Sequence, residues 1–158
     1  MIDDMKRNWL KWLGLTALGG CAQAQPRSRS VTAVVINYTD RYIGDVWVDG
    51  VWVGAADAFG GDGNRVEGLL APANPNRKVV VKVKWRLSGL YDIASNTYSR
   101  LPEEEFSTEV PVSWPYPPNP NYLVLHFYPD GRVEAELEAD QIKRRIPKPP
   151  GYHRNSRQ

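Results

Sequence analysis

The dipeptide Asp49-Gly50, set between two short runs of β-branched and aromatic residues, constrains the fold of this chain more than any other feature. Both central positions of a two-residue hairpin turn need positive φ, which aspartate and glycine tolerate. Tyr42–Val48 and Val51–Gly54 are therefore predicted to pair as antiparallel strands. The predicted register places Val48 opposite Val51, Trp47 opposite Trp52 and Val46 opposite Val53.

Five further runs have the composition or the alternation of β-strands. In Lys78–Leu87 the apolar residues Val81, Val83 and Trp85 alternate with basic ones, which predicts one buried and one wet face. Phe106–Val112 is predicted to be an edge strand, because Pro111 cannot donate to a ladder. The other three runs are Val31–Tyr38, Tyr122–Tyr128 and Arg132–Glu138. Together these runs predict an all-β fold, a single compact antiparallel sandwich or barrel of about seven short strands.

Three stretches are predicted to be irregular, namely Gly54–Asn76, Ser88–Glu105 and the proline-rich Ser113–Asn121. The first contains the run Gly60–Gly63, which lacks the lysine and the helix of a phosphate-binding loop and is interpreted as a mobile loop. Residues 141–158 carry six basic and no acidic side chains. This proline-rich tail is predicted to be extended or disordered, and solvated.

The N-terminus has the pattern of a secretory signal. Met5-Lys6-Arg7 is basic, a short apolar stretch follows, and Leu18-Gly19-Gly20-Cys21 resembles a bacterial lipobox, in which the cysteine is lipidated. The alternative is an amphipathic helix with an incidental cysteine. The predicted organisation is a lipoprotein signal peptide over 1–20, a tether over 21–30, a β domain over 31–140 and the basic tail over 141–158. Ala22 after the cysteine favours the periplasmic face of the outer membrane.

Composition and motifs exclude several classes of protein. The net charge of +2 is too small for a strongly basic nucleic-acid binder. The chain's one cysteine, Cys21, forms no Cys-rich metal site, and no nucleophile elbow is present. His126 is interpreted as a satisfied or half-exposed strand histidine rather than as a general base. The sequence therefore predicts neither an enzyme nor a metal or cofactor site.

The candidate functional residues are aromatic and acidic side chains suited to a protein interface. Trp47 and Trp52 either form an interface anchor or are covered by the long loops, and Trp114 with Tyr116 either contact a partner or close the end of the sheet. Glu103, Glu104 and Glu105 form an acidic segment, interpreted either as a contact or as a solvated loop, since adjacent carboxylates do not converge on one cation.

Several short motifs, taken in order, resemble those of a family of short proteobacterial lipoproteins of unknown function. These are Ile36–Gly44, which continues into Val48-Asp49-Gly50, then Gly60-Gly61, Val81–Trp85, Val110–Val112 and His126–Gly131. The similarity covers about Ile36 to Leu137. Members of that family often carry a cysteine pair after the glycine-rich loop, where this chain has Asn64–Glu67.

The resemblance implies a function, because genes of this kind are often found beside type VI secretion lipase effectors. It implies a lipid-anchored periplasmic immunity protein that binds a phospholipase effector and blocks it sterically. The alternative is a structural or assembly lipoprotein of the cell envelope without a toxin partner. Both expectations place the protein at the membrane through Cys21, and neither requires an active site.

Overall fold

The computed structural model describes residues 28–61 and 65–153, and this part of the chain forms nine β-strands. In chain order they are β1 (Ser30–Asn37), β2 (Arg41–Val48), β3 (Val51–Ala56), β4 (Arg65–Leu70), β5 (Val80–Asp92), β6 (Thr97–Ser99), β7 (Glu104–Ser113), β8 (Tyr122–Phe127) and β9 (Val133–Glu138). The predicted all-β fold is confirmed. The predicted signal peptide and Cys21 lie outside the described residues. Among the residues described, no helix is long and apolar enough to cross a membrane.

Eight of the strands follow one hydrogen-bonded order, β3-β2-β5-β7-β9-β8-β1-β4, and β6 pairs with β5 outside that path. The two end strands, β3 and β4, approach each other, so the sheet curls into a nearly closed barrel. Most neighbouring strands are antiparallel, as predicted. Two pairs, β1 with β8 and β7 with β9, are parallel.

The barrel interior is filled by the alternating apolar positions that the sequence indicated. Val81, Val83 and Trp85 of β5 point inward, and Ala135 and Leu137 of β9 meet them in one core cluster. The intervening residues face solvent or the rim of the barrel. Burial of this apolar surface is the main favourable contribution to folding.

The predicted hairpin is present, with one change of register. Val48 lies opposite Val51 and Trp47 opposite Trp52, whereas Val46 lies opposite Gly54 and not Val53. The prediction was wrong at that pair because a bulge adds one residue to β3.

Two of the stretches predicted to be irregular contain strands. Residues Arg65–Leu70 form β4, which pairs with β1 and has a register shift next to Gly68 at φ 112°. The run lacks alternation because most of β4 is exposed. β5 continues to Asp92 and returns as β6, and β7 begins at Glu104, so most of the predicted Ser88–Glu105 insertion is a strand extension.

The start of the glycine loop makes contacts that the sequence did not predict, and the tail, which was expected to be solvated, is only partly so within the described residues. Gly60 accepts a hydrogen bond from Asn37 N at 2.9 Å, and a Cβ on Gly61 would lie 2.0 Å from Val35 O. The tail packs Ile142 against a second cluster on the outer side of β1 and β8, formed by Val34, Ile36, Tyr38, Val124 and Tyr128. β1 is apolar on both faces, and the tail covers the outer one.

Candidate functional site

Four strands present one continuous exterior surface on the β3-β2-β5-β7 side of the barrel. In one row across it, Trp52 is paired with Trp47, Trp47 with Lys84, and Lys84 with Ser107. In the adjacent row Asp45 is paired with Arg86, and Arg86 with Glu105. We call this surface, from Trp52 to Glu105, the outer sheet face. It unites two tryptophans and an acidic residue that the sequence singled out separately.

Trp47 is held in place by cations from β5. Lys84 Nζ lies 5.3 Å and Arg86 Cζ 4.9 Å from the centroid of the Trp47 ring. Trp52 is 48% exposed and donates its indole N–H to Asp45 Oδ1 at 2.8 Å. Both indoles are therefore oriented by polar partners while Trp52 remains open to solvent, as suits an interface anchor.

Ion pairs join these cations to the acidic segment. Lys84 Nζ lies 2.9 Å from Glu105 Oε1, and Arg86 lies 3.6 Å from Asp45 and 3.7 Å from Glu103. Such exposed pairs contribute about 0–1 kcal/mol each to stability. Their concentration around exposed aromatic rings is thus better suited to recognition than to stability. Glu104 points elsewhere and pairs with Arg41 at 3.0 Å.

Trp114 and Tyr116 lie beyond the end of β7, apart from the outer sheet face. Trp114 is 50% exposed, donates its indole N–H to Pro75 O at 3.3 Å and carries Lys78 Nζ over its ring. Tyr116 packs against the main core, and its hydroxyl accepts a hydrogen bond from Val79 N at 2.9 Å. Of the two, Trp114 is placed as a surface residue and Tyr116 as a support of its loop.

His126 is fully buried and both of its ring nitrogens have partners. Nε2 lies 2.7 Å from Glu136 Oε1, and Nδ1 lies 2.8 Å from the Tyr38 hydroxyl. Because an ionised carboxylate only accepts, Nε2 carries the proton and Nδ1 accepts from Tyr38. Burial lowers the pKa of His126 and raises that of Tyr38, so His126 is favoured as neutral and Tyr38 as a donor.

The tail closes this network. Arg145 N donates to the Tyr38 hydroxyl at 2.9 Å, and the Arg145 guanidinium pairs with Glu134 and Glu136. His126 is therefore a buried, hydrogen-bonded histidine that links β1, β8, β9 and the tail, which agrees with the satisfied rather than the half-exposed alternative. The described residues contain no group of three or more histidine, cysteine or acidic side chains placed to hold a metal ion.

A cleft of about 320 Å³ opens where β7 diverges from the turn between β8 and β9. Trp85 packs against both Phe106 and Phe127, and all three rings line the cleft, with Gly131 and Arg132 at the turn. Trp85 and Phe106 are stacked with ring centroids 5.5 Å apart. Nothing in the sequence indicated this cleft, because its lining residues, from Thr39 to Arg132, come together only in the folded barrel.

The profile of the family described as DUF3304, a protein of unknown function, matches residues 36–135. The chain belongs to the DUF3304 family. That range agrees with the extent of the motif order described above. The DUF3304 match contains the outer sheet face, the cleft and His126, whereas Cys21 and the tail lie outside it. Neither curated proteins nor solved structures provide a match to this chain.

The site was partly predictable. Trp47, Trp52 and Glu103–Glu105 were singled out from composition and hairpin register, and the structure brings Trp47, Trp52, Glu103 and Glu105 together. Lys84, Arg86 and Asp45 were not predicted to be part of the site. The alternation of basic residues in β5 was the available signal, because it places those cations on the same outward face as Trp47.

Proposed function

We propose that this DUF3304 protein is a lipid-anchored periplasmic inhibitor that binds a type VI secretion phospholipase effector and blocks it sterically. The single observation that carries the proposal is the outer sheet face, in which ordered tryptophans are surrounded by paired charges. Interfaces of this kind obtain most of their binding energy from a few aromatic and arginine side chains. The lipase as partner comes from the resemblance to proteins encoded beside such effectors.

The rigidity of the outer sheet face supports an inhibitory role. Trp47 and Trp52 lie on paired strands, and each is oriented by a cation or a hydrogen bond. Side chains that are ordered before binding lose little conformational entropy in the complex, which favours tight association. A rigid sheet of this size can cover the entrance of an enzyme without any catalytic group of its own.

The first test is a protection assay in cells that export the lipase encoded beside this gene to their periplasm. We expect survival with the intact protein and a stable purified complex. Trp52→Ala should weaken that complex about 30-fold or more, as expected for a hot spot worth about 2 kcal/mol. Trp114→Ala is the matched control, since it removes an equally exposed indole from a different surface, and we expect less than a threefold effect.

Anchoring is tested in the same cells with Cys21→Ser. We expect the intact protein to incorporate labelled palmitate and the variant to incorporate none; labelling of the variant would contradict lipidation at Cys21. If the intact protein neither protects nor binds, the inhibitor proposal is wrong, and a structural or assembly lipoprotein becomes the leading function. Rescue with unchanged affinity of Trp52→Ala would instead place the interface elsewhere on the protein.

A further inference from the structure

β7 has one paired and one open side. Along Glu104–Pro111 it pairs with β5, whereas it pairs with β9 only at Val112 and Ser113. On the side away from β5, residues 104–109 therefore have no ladder partner in the described part of the chain, and all six are exposed. Phe106–Val112 was predicted to be an edge strand, but β7 lies between β5 and β9 in the sheet, so the prediction holds only for the part before Val112 that lacks a β9 partner.

The hydrogen bonds of β7 show which peptide groups face the open side. Val112 N donates to Val79 O at 2.9 Å, so even-numbered residues of β7 bond to β5. Glu105, Ser107 and Glu109 therefore direct their N–H and C=O groups away from β5. Pro111 has the same outward orientation, and its missing N–H costs the barrel no ladder bond.

The open edge borders the apolar cleft. Phe106 points to the barrel interior but is 38% exposed, because no strand covers the cleft side of β7. A strand placed beside Glu105–Glu109 would direct alternate side chains into the space between Phe106 and Phe127. Domains that bind an extended peptide as an added strand obtain affinity from free backbone groups at a sheet edge. They obtain specificity from neighbouring pockets for the peptide's side chains.

The charges on the edge argue against a second copy of this chain as the occupant. Antiparallel pairing of two β7 strands centred on Ser107 would place Glu105 opposite Glu109 on both sides. Like charges directly opposite each other destabilise a strand pair. The same two carboxylates favour a strand that carries basic side chains at those positions.

We propose that a partner protein adds an extended segment to Glu105–Glu109 as a further strand, with basic side chains opposite Glu105 and Glu109 and an apolar side chain in the cleft. The added strand would continue the outer sheet face, since Ser107 ends the row that starts at Trp52. The identity of the partner as the lipase rests on the proposed function, whereas the strand addition itself does not.

Amide hydrogen exchange by NMR tests the edge directly. In the free full-length protein we expect the amides of Glu105, Ser107 and Glu109 to exchange fast and those of Phe106 and Thr108 to exchange slowly. Slow exchange of the first three would show that the chain itself covers the edge and would overturn the proposal.

The probe is an acetylated and amidated eight-residue peptide in which lysine and valine alternate. We expect it to slow the exchange of the three amides at least tenfold, and the same peptide with methylated nitrogens on its β7-facing side to have no effect. Ser107→Pro should weaken peptide binding at least tenfold, because it removes an outward N–H while leaving the bonds to β5. Ser107→Thr, which keeps that N–H, should stay within twofold. Peptide binding without slowed exchange, or no binding at all, contradicts the proposal.

The same measurement on the lipase complex separates the two proposals. Slowed exchange at the three amides would support strand addition by the lipase. A stable complex in which they exchange as in the free protein would refute strand addition and leave the inhibitor proposal intact. If no complex forms, the inhibitor proposal fails, and the peptide experiment alone tests strand addition at Glu105–Glu109.

Discussion

Among single residues, His126 is a buried titratable group whose protonation the fold alters. It is buried on the outer side of β8 beneath the tail, with Tyr38 on one ring nitrogen and Glu136 on the other, while Glu134, Tyr128 and Arg145 complete its surroundings. Burial lowers its pKa and outweighs the opposing effect of the hydrogen bond that Nε2 donates to Glu136. Folding therefore favours the neutral imidazole.

A loss of stability on acidification follows from that shift. Below the usual pKa of 6.5 the unfolded chain binds more protons at His126 than the folded protein does, so stability present above pH 6.5 is lost as the pH falls below it. We expect the thermal unfolding midpoint to fall between pH 7.5 and pH 5.5, measured by calorimetry. His126→Gln should show a smaller fall, and equal falls in both proteins would contradict this prediction.

Gly61 illustrates a second residue-level constraint, the close approach of two backbones. Its φ is 117°, and an added Cβ would lie 2.0 Å from Val35 O. Gly68 has a similar φ of 112° with open space around its Cβ position, so it shares the backbone strain without the clash. We expect Gly61→Ala to lower the free energy of unfolding by about 1–3 kcal/mol more than Gly68→Ala. Urea denaturation measures both, and equal losses would mean that β1 moves to accommodate the methyl group.

At the scale of elements, the tail acts as a cover for β1 and β8. Arg145→Ala should lower the free energy of unfolding by about 1–3 kcal/mol, because Glu134 and Glu136 would lose their shared cation at a partly buried site. Lys143→Ala removes an exposed cation two residues away and should change it by less than about 0.5 kcal/mol. Equal effects in urea denaturation would show that the tail contributes no specific contact.

Strands could be predicted from the sequence where one face is exposed to solvent and the other is buried. Apolar and polar residues alternate in β5 and β9, and Asp49-Gly50 marks the turn between β2 and β3. These four strands could therefore be assigned from the sequence alone. β4 lacks alternation because it is mostly exposed and bulged. The tail was missed because the residues that make its contacts, Ile142, Arg144, Arg145 and Tyr152, are scattered among exposed basic and proline residues, a composition that resembles a solvated segment. The run Val31–Tyr38 could have indicated that another segment covers β1, since an apolar run without alternation is typical of a strand buried on both faces.

For the whole molecule, the course of β1 relates the proposed anchor to the candidate site. β1 starts at the end of the barrel where Asn121 lies and finishes at the end where the cleft opens, about 23 Å away at the usual rise per residue. A tether from Cys21 would enter at the first end. The cleft and Glu103–Glu105 would then point away from the membrane, where a soluble enzyme can reach them.

The parallel pairing of β1 with β8 also has a consequence for when the protein can fold. Thr32 meets Tyr122, and at roughly 5–20 residues per second the ribosome needs about 5–18 s to make the chain between them. Until then one edge of β1 has no β8 to pair with, and the tail that covers its outer face is made later still. Contacts so distant in sequence also slow folding itself. The barrel therefore closes only after nearly the whole chain has been made. If the protein is exported as proposed, this delay would give the chain time to cross a membrane unfolded.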